Sequence, residues 1–258
     1  MLWLRSALFN VWFFGLTAVI GGIGVILRVA APQRTLALAR FWSSVMLFGL
    51  RVICGVRPVV TGWENLPAGP ALIASEHQSA FDTVVWLHLV PRVSYIFKAE
   101  LADVPLFGPL LVPAGQIGVD RGGGAAAMRS MLAGAERAAK ADRQIVIFPE
   151  GTRVAVGERV KLRPGIAALS NRTGLPVVPV ATDSGLLWPR QSFLKKPGIV
   201  HIWIGEPIPP GLPPAQLVAM LRSRWDGLHV AAEALPVGEQ GVDNSVDASV
   251  LNVPRRSN

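Results

Sequence analysis

One cysteine, Cys54, stands in a chain of 258 residues, so no internal disulfide framework is available, and its apolar surroundings offer no second metal ligand. It reads as a small buried residue. Acidic side chains are scarce as well: 17 Asp and Glu face 25 Lys and Arg, a formal net charge of +8 that favours anionic partners, either nucleic acid or an acidic membrane surface. Charged residues of both signs make up only 16% against 51% apolar, and mean hydropathy is +0.42. That balance points away from nucleic acid and toward the bilayer. Several motifs are missing. The chain has no G-x-x-x-x-G-K-[ST], no G-x-G-x-x-G in a dinucleotide context, no G-x-S-x-G around Ser75 or Ser79, no H-E-x-x-H and no internal repeat. A nucleotide cradle, a serine nucleophile and a catalytic metal are therefore not expected.

What is present begins with an apolar N-terminus. Between Arg5 and Arg28 lie 22 uncharged residues, Ser6 to Leu27, which reach about 33 Å as a helix. Asn10, Thr17 and the glycines Gly15, Gly21, Gly22 and Gly24 weaken this run as a hydrocarbon span. A second apolar stretch, Phe41 to Leu50, is bracketed by Arg40 and Arg51 and is too short to cross. Residues 1–58 are thus expected to form a membrane-associated helical hairpin dipping into one leaflet, with Arg28, Arg34, Arg40 and Arg51 near anionic headgroups. A cleaved signal peptide is the competing reading, with Val29-Ala30-Ala31 as its cleavage site. Against it, the apolar region exceeds the usual length and apolar sequence resumes directly afterward. If the first helix instead spans, the arginine excess after Leu27 places the rest of the chain on the cytoplasmic side, in a bacterium the inner-membrane face.

From about residue 59 short β-branched runs alternate with helix-like segments. Strands are expected over Val59–Thr61, Ala71–Ala74, Ser94–Phe97, Gln144–Phe148, Val177–Ala181 and Val200–Ile204. Helices are expected over Ala80–Leu89, Ala125–Ala141, Gly165–Arg172 and Pro214–Ala234. This is the pattern of an α/β domain, residues 59–234, with a mixed, mainly parallel sheet flanked by helices. Residues 235–258 lack core-forming periodicity and read as a disordered tail.

The segment from Ile73 to Asp82 leaves an apolar strand and enters a helix, at the strand end where open α/β sheets place their sites. His77 and Asp82 are five apart, which one uninterrupted helix would splay by roughly 140°. They converge only if His77 precedes the helix. Asp82 then accepts one imidazole N–H and fixes the tautomer, while the other ring nitrogen takes a proton from a substrate hydroxyl. A histidine beside a helix-capping carboxylate also occurs without any chemical role, so the pair alone does not decide.

Further blocks follow in order: Lys98-Ala99-Glu100-Leu101 with Pro105, Gly108 and Pro109; Gly115 to Arg121; Phe148-Pro149-Glu150-Gly151-Thr152-Arg153; and Leu175 to Val180. With H-x4-D, G-x-I-x-x-D-R, F-P-E-G-T-R and V-x-P-V in this sequence, the chain resembles the glycerolipid acyltransferase superfamily, and within it the 1-acyl-sn-glycerol-3-phosphate acyltransferases, from about Gly62 to Pro207. The resemblance implies transfer of a fatty acyl group from acyl-CoA or acyl-acyl carrier protein to the sn-2 hydroxyl of lysophosphatidic acid, with no further cofactor. It also implies that His77 is the general base, that Asp82 is its partner and that the basic blocks hold the acceptor's phosphate. The residue chemistry agrees, because a guanidinium offers paired donors to phosphate oxygens and glycine lets backbone approach an anion closely. Arg121 and Arg153 are the foremost candidates, with Lys98 third. Gly151 and Thr152 line the same turn, and Glu150 orients Arg153 or meets a glycerol hydroxyl. In the alternative, each arginine simply pairs with Asp120 or Glu150 at the surface.

One departure is visible: many relatives carry Asn immediately before the histidine, whereas this chain has Glu76. His88, His201 and His229 show no comparable constellation and read as structural or surface residues. Trp86, Trp188, Trp203 and Trp225 read as packing residues or interfacial anchors. Two rivals remain. One is another acyltransferase of the superfamily, acting on glycerol 3-phosphate, another lysophospholipid or a lyso-ornithine lipid. The other is a catalytically silent membrane-binding protein, against which the presence of both His77 and Asp82 argues.

Overall fold

The computed structural model describes residues 1–120 and 122–233; Arg121 and the expected tail, 235–258, lie outside the described residues. In chain order the elements are α1 (Leu2–Ala30), α2 (Thr35–Gly49), β1 (Val56–Thr61), β2 (Leu72–Ser75), α3 (Phe81–Leu89), β3 (Val93–Lys98), α4 (Gly108–Leu111), β4 (Ile117–Val119), α5 (Gly124–Lys140), β5 (Gln144–Ile147), α6 (Gly165–Thr173), β6 (Val177–Thr182), α7 (Ser184–Leu187), β7 (Gly198–Ile204) and α8 (Pro214–Glu233). The strand over Ile117–Val119 was not expected. Three residues with a glycine at the centre carry no alternation from which a strand can be read.

The seven strands lie in the order β1-β7-β6-β2-β5-β3-β4. All neighbouring pairs are parallel except β6 with β7. Five strands therefore point one way, and β1 and β7 point the other. The sheet is mixed and mainly parallel with helices on both faces, as its near-continuous apolar strands require. Every residue of β2 and β6 is buried. Alternation then sorts them between two cores: Ile73, Val146 and Val178 join the core under α2 and α3, while Leu72, Ala74, Ile145 and Ile147 join the one under α5, α6 and α8. The ends of α6 are set by Pro164 ahead of it and by Gly174 after it, whose φ of 69° supplies the left-handed stop.

The N-terminal helices are apolar and long. α2 continues as a π-helical turn over Leu50–Cys54, and Pro32–Cys54 as a whole is long and apolar enough to cross a membrane, as is α1. This corrects the expectation that the second stretch is too short, since the helix runs on through Arg40 and Arg51 instead of stopping at the ends of the uncharged stretch. Of the residues that weaken α1 as a lipid span, Asn10, Thr17, Gly21 and Gly24 face protein, whereas Gly15 and Gly22 meet open space. Asn10 Oδ1 accepts the Lys195 ammonium at 2.5 Å, Thr17 Oγ1 accepts the Trp42 indole N–H at 3.0 Å, and Gly21 and Gly24 lie where a Cβ would run into Leu106 and Leu110. Large apolar side chains such as Leu8, Val11, Phe14, Val19 and Ile26 face outward, a contiguous surface suited to lipid. Arg40, expected near headgroups, instead donates to the Leu87 carbonyl at the end of α3. Beside it Ser43 donates to the Val84 carbonyl at 2.6 Å, so α2 is fastened to the helix that carries Asp82.

Lys195 is 2% exposed. Its ammonium sits among the rings of Phe9, Trp188 and Phe193 at 5.0 to 5.6 Å, a cation–π cage that offsets its desolvation, and its backbone N–H donates to Ser6. The same contacts tie α1 to the segment before β7. On the opposite face Trp225 is fully buried and its indole N–H donates to the Ala74 carbonyl at 3.2 Å. Trp225→Ala should lower the unfolding free energy by about 3–5 kcal/mol, read by denaturant titration in detergent; a loss below about 1 kcal/mol would show that α8 does not stabilise the sheet.

Candidate active site

The chain leaves β2 at Ser75, bends through residues 76–80 and enters α3 at Phe81, whose N–H is capped by Ser79 Oγ at 3.1 Å. His77 thus precedes the helix, and its Nδ1 lies 3.1 Å from Asp82 Oδ2. The same oxygen accepts the N–H groups of Gln78 at 2.7 Å and Ser79 at 2.8 Å. Oδ1 accepts the Ser184 hydroxyl at 2.6 Å. With Oδ2 already an acceptor twice over, the imidazole is the donor through Nδ1, and in the neutral ring Nε2 carries the free lone pair. The ring stacks on Phe148, centroids 4.0 Å apart and planes 18° from parallel. Asp82 is buried, and the His77 side chain keeps 12% of its surface in contact with solvent.

The F-P-E-G-T-R block follows β5, the neighbour of β2, and its turn grips the histidine's backbone from both sides. Glu150 Oε2 accepts the His77 N–H at 2.6 Å, and the Val154 N–H donates to the His77 carbonyl at 2.7 Å. Gly151 holds φ at 73°, a left-handed turn that a residue with Cβ resists. Glu150 was expected to orient Arg153 or meet a substrate hydroxyl; its carboxyl is instead turned inward onto the loop bearing the histidine. Burial drives its pKa up to about 8, with Glu76 and Asp82 adding repulsion and the His77 N–H and Arg222 opposing. Glu150 therefore keeps its proton through most of the neutral range.

Arg153 is half-buried at the rim. Burial lowers its pKa, Asp82 favours its charge, and the nearby Arg190 guanidinium opposes it. Arg190 Nη1 donates to the Arg153 carbonyl at 3.0 Å, which brings a second guanidinium to this rim. No motif marks Arg190, and its placement comes from the loop after α7. Thr152 is exposed on the same turn. Lys98 sits farther off, at the end of β3, two strands from β2. It pairs with Glu100 at 2.9 Å on the surface, so the structure does not gather it against His77. Asp120 Oδ1 accepts the Gly122 N–H.

Two of the three histidines set aside as structural have carboxylate partners, while His88 Nδ1 lies 2.9 Å from Ser44 Oγ. His229 Nε2 lies 2.8 Å from Glu76 Oε2, and His201 Nδ1 lies 2.7 Å from Asp183 Oδ2. These pairs span 153 and 18 residues, separations that hide them from any reading of local spacing. Ser184 was missed for the same reason. Among the described residues, no group of three or more His, Cys, Asp or Glu is placed to hold a metal ion.

A family model described as Acyltransferase matches residues 57–183, which include His77, Asp82, Glu150 and Arg153 but not Ser184, Arg190 or His229. The chain is 33% identical to the 1-acyl-sn-glycerol-3-phosphate acyltransferase of Pseudomonas aeruginosa over 206 residues, 78% of this chain and 79% of the relative. It is 28% identical to the human 1-acyl-sn-glycerol-3-phosphate acyltransferase alpha, over 77% of this chain and 72% of that one. The crystal structure of the 1-acyl-sn-glycerophosphate (LPA) acyltransferase from Thermotoga maritima superposes with a TM-score of 0.70 over 89% of this chain and 98% of its own, at 22% identity. That superposition shows the fold.

The raised pKa of Glu150 has a consequence for stability. The unfolded chain releases this proton near 4.5 and the folded protein near 8, so the contribution is full below about pH 4.5 and is lost as pH rises toward about 8. Glu150→Gln keeps an oxygen for the His77 N–H and removes the titration. Between about pH 5 and pH 8.5 the wild type should lose several degrees of melting temperature relative to the variant; parallel pH curves would refute the assignment.

Proposed function

The chain belongs to the acyltransferase family, and from that premise we propose that it transfers a fatty acyl group from an acyl thioester to the sn-2 hydroxyl of lysophosphatidic acid, giving phosphatidic acid. The observation that carries this reading is the His77–Asp82 pair with Nε2 left free. The substrate hydroxyl gives its proton to Nε2 as its oxygen attacks the thioester carbonyl carbon, and Asp82 compensates the imidazolium charge through Nδ1–H. The tetrahedral intermediate collapses by breaking the carbon–sulfur bond. The imidazolium returns its proton to the leaving thiolate, leaving an ester, a free thiol and neutral His77.

No side chain acts as nucleophile in this scheme. The hydroxyls of Ser75 and Ser79 serve the loop, Ser75 donating to the Glu76 carbonyl and Ser79 capping α3. We assign Arg153 to the acceptor's phosphate, with Arg121 and Lys98 as further cationic ligands and the Gly151–Thr152 backbone lining the approach. Support comes from the half-buried Arg153 guanidinium, which makes no ion pair among the described residues and lies beside a second arginine. Glu150 acts one step back by fixing His77. The outward apolar face of α1 favours membrane association, and we place the site on the cytoplasmic face, where acyl-CoA and acyl carrier protein are both donors to test.

In mixed micelles, His77→Ala should lower kcat/KM by about 10²- to 10⁴-fold, and near-normal transfer by the folded variant would exclude the base assignment. Arg153→Ala should raise KM for lysophosphatidic acid by about ten- to a hundredfold, the loss of one charge-assisted hydrogen bond. It should affect a phosphate-free lysolipid far less, and equal losses on both acceptors would remove Arg153 from the phosphate site.

A further inference from the structure

We infer that Glu76 and His229 are positioning residues, a charged pair that holds the Thr182–Ser184 turn so that the Ser184 hydroxyl stays on Asp82 and the His77 imidazole stays aimed for acyl transfer. The role rests on the acyl-transfer reading above and adds to it a connection from α8 to the Nδ1 side of the His77 ring.

The connection is continuous. His229 Nε2 and the Thr182 N–H both donate to Glu76 Oε2, at 2.8 and 3.0 Å. Thr182 Oγ1 donates to the His201 carbonyl at 2.9 Å and accepts the Ser184 N–H at 3.2 Å. Ser184 Oγ donates to Asp82 Oδ1 at 2.6 Å, and Asp82 Oδ2 meets His77 Nδ1 at 3.1 Å. Glu76 neighbours His77 in sequence, yet its side chain runs toward α8 while the imidazole stacks on Phe148. The two adjacent residues are thus joined through space by way of β6 and α7.

Charge explains why a histidine stands at the far end. Glu76 is 9% exposed and shares its surroundings with Glu150 and Asp82. A buried carboxylate among carboxyl groups needs a cation or a proton. Glu150 takes the proton. Glu76 takes the cation, because His229 faces Glu76, Asp183 and Asp226, and its hydrogen bond to Glu76 raises its pKa. Arg222 is the opposing charge for Glu150. Without His229, Glu76 loses the cation that faces it and swings toward solvent, and the Thr182 N–H then loses the acceptor that pins the turn.

A double-mutant cycle on the full chain tests this. His229→Ala should lower kcat about tenfold and change KM for the lysolipid by less than about twofold. Glu76→Gln keeps an acceptor for the Thr182 N–H and needs no cation, so adding His229→Ala to it, or to Ser184→Ala, should alter kcat by less than about twofold. Multiplying effects, or a lowered melting temperature with kcat intact, would overturn the inference. Should His229→Ala fail to fold, His229→Gln is read through the same cycle.

Hydrogen exchange over residues 180–186 provides a readout that needs no activity. It should quicken in His229→Ala and return to the level of Glu76→Gln in the double variant, and unchanged exchange would also overturn the pair. A wild type inactive on every lysolipid but coupled in exchange would instead sink the acyl-transfer reading alone.

Discussion

Four donors converge on the Asp82 carboxylate: the His77 imidazole, two backbone N–H groups of the preceding loop and the Ser184 hydroxyl. A buried carboxylate requires such compensation, and here each donor sets something else in return. The backbone pair makes the chain turn between β2 and α3, the hydroxyl anchors the start of α7, and the imidazole is held with one nitrogen free. The sheet makes the convergence possible. Because β6, β2 and β5 are parallel neighbours, their carboxyl ends deliver Ser184, His77 and Glu150 to one place.

Three carboxyl groups then gather around the loop that carries His77, and the fold treats each differently. Asp82 is surrounded by donors, Glu76 meets a histidine whose charge is favoured, and Glu150 retains its proton. The inner side of the site is thereby kept from accumulating negative charge, while Arg153 and Arg190 stand at its rim without an ion pair among the described residues. An anionic acceptor approaching that rim meets favourable charge, with the free imidazole nitrogen beyond it.

The N-terminal hairpin belongs to the same arrangement. α2 is bonded to α3, which carries Asp82, and α1 is bonded through Lys195 to the chain that follows α7, which carries Ser184. The outward apolar helices are therefore fastened to the two segments that carry Asp82 and Ser184.

Much of this was legible from residue order. Alternation and turn residues located six of the seven strands to within a few residues, and the interruption between His77 and the helix followed from a five-residue spacing that a helix cannot close. Glu76 was visible as a departure, although its purpose was not. The partner of Glu76 lies 153 residues away on α8, Ser184 lies 102 residues from Asp82, and Arg190 reaches Arg153 across 37. Asn10 and Thr17 looked like flaws in a lipid-facing helix until Lys195 and Trp42 were found against them. The sequence by itself determined the layered α/β fold and the pairing of His77 with Asp82, because those depend on local period and short-range geometry. Only the tertiary structure decided which distant donors hold that carboxylate and which carboxyl keeps a proton, because burial and charge proximity arise where strands from separate parts of the chain end side by side.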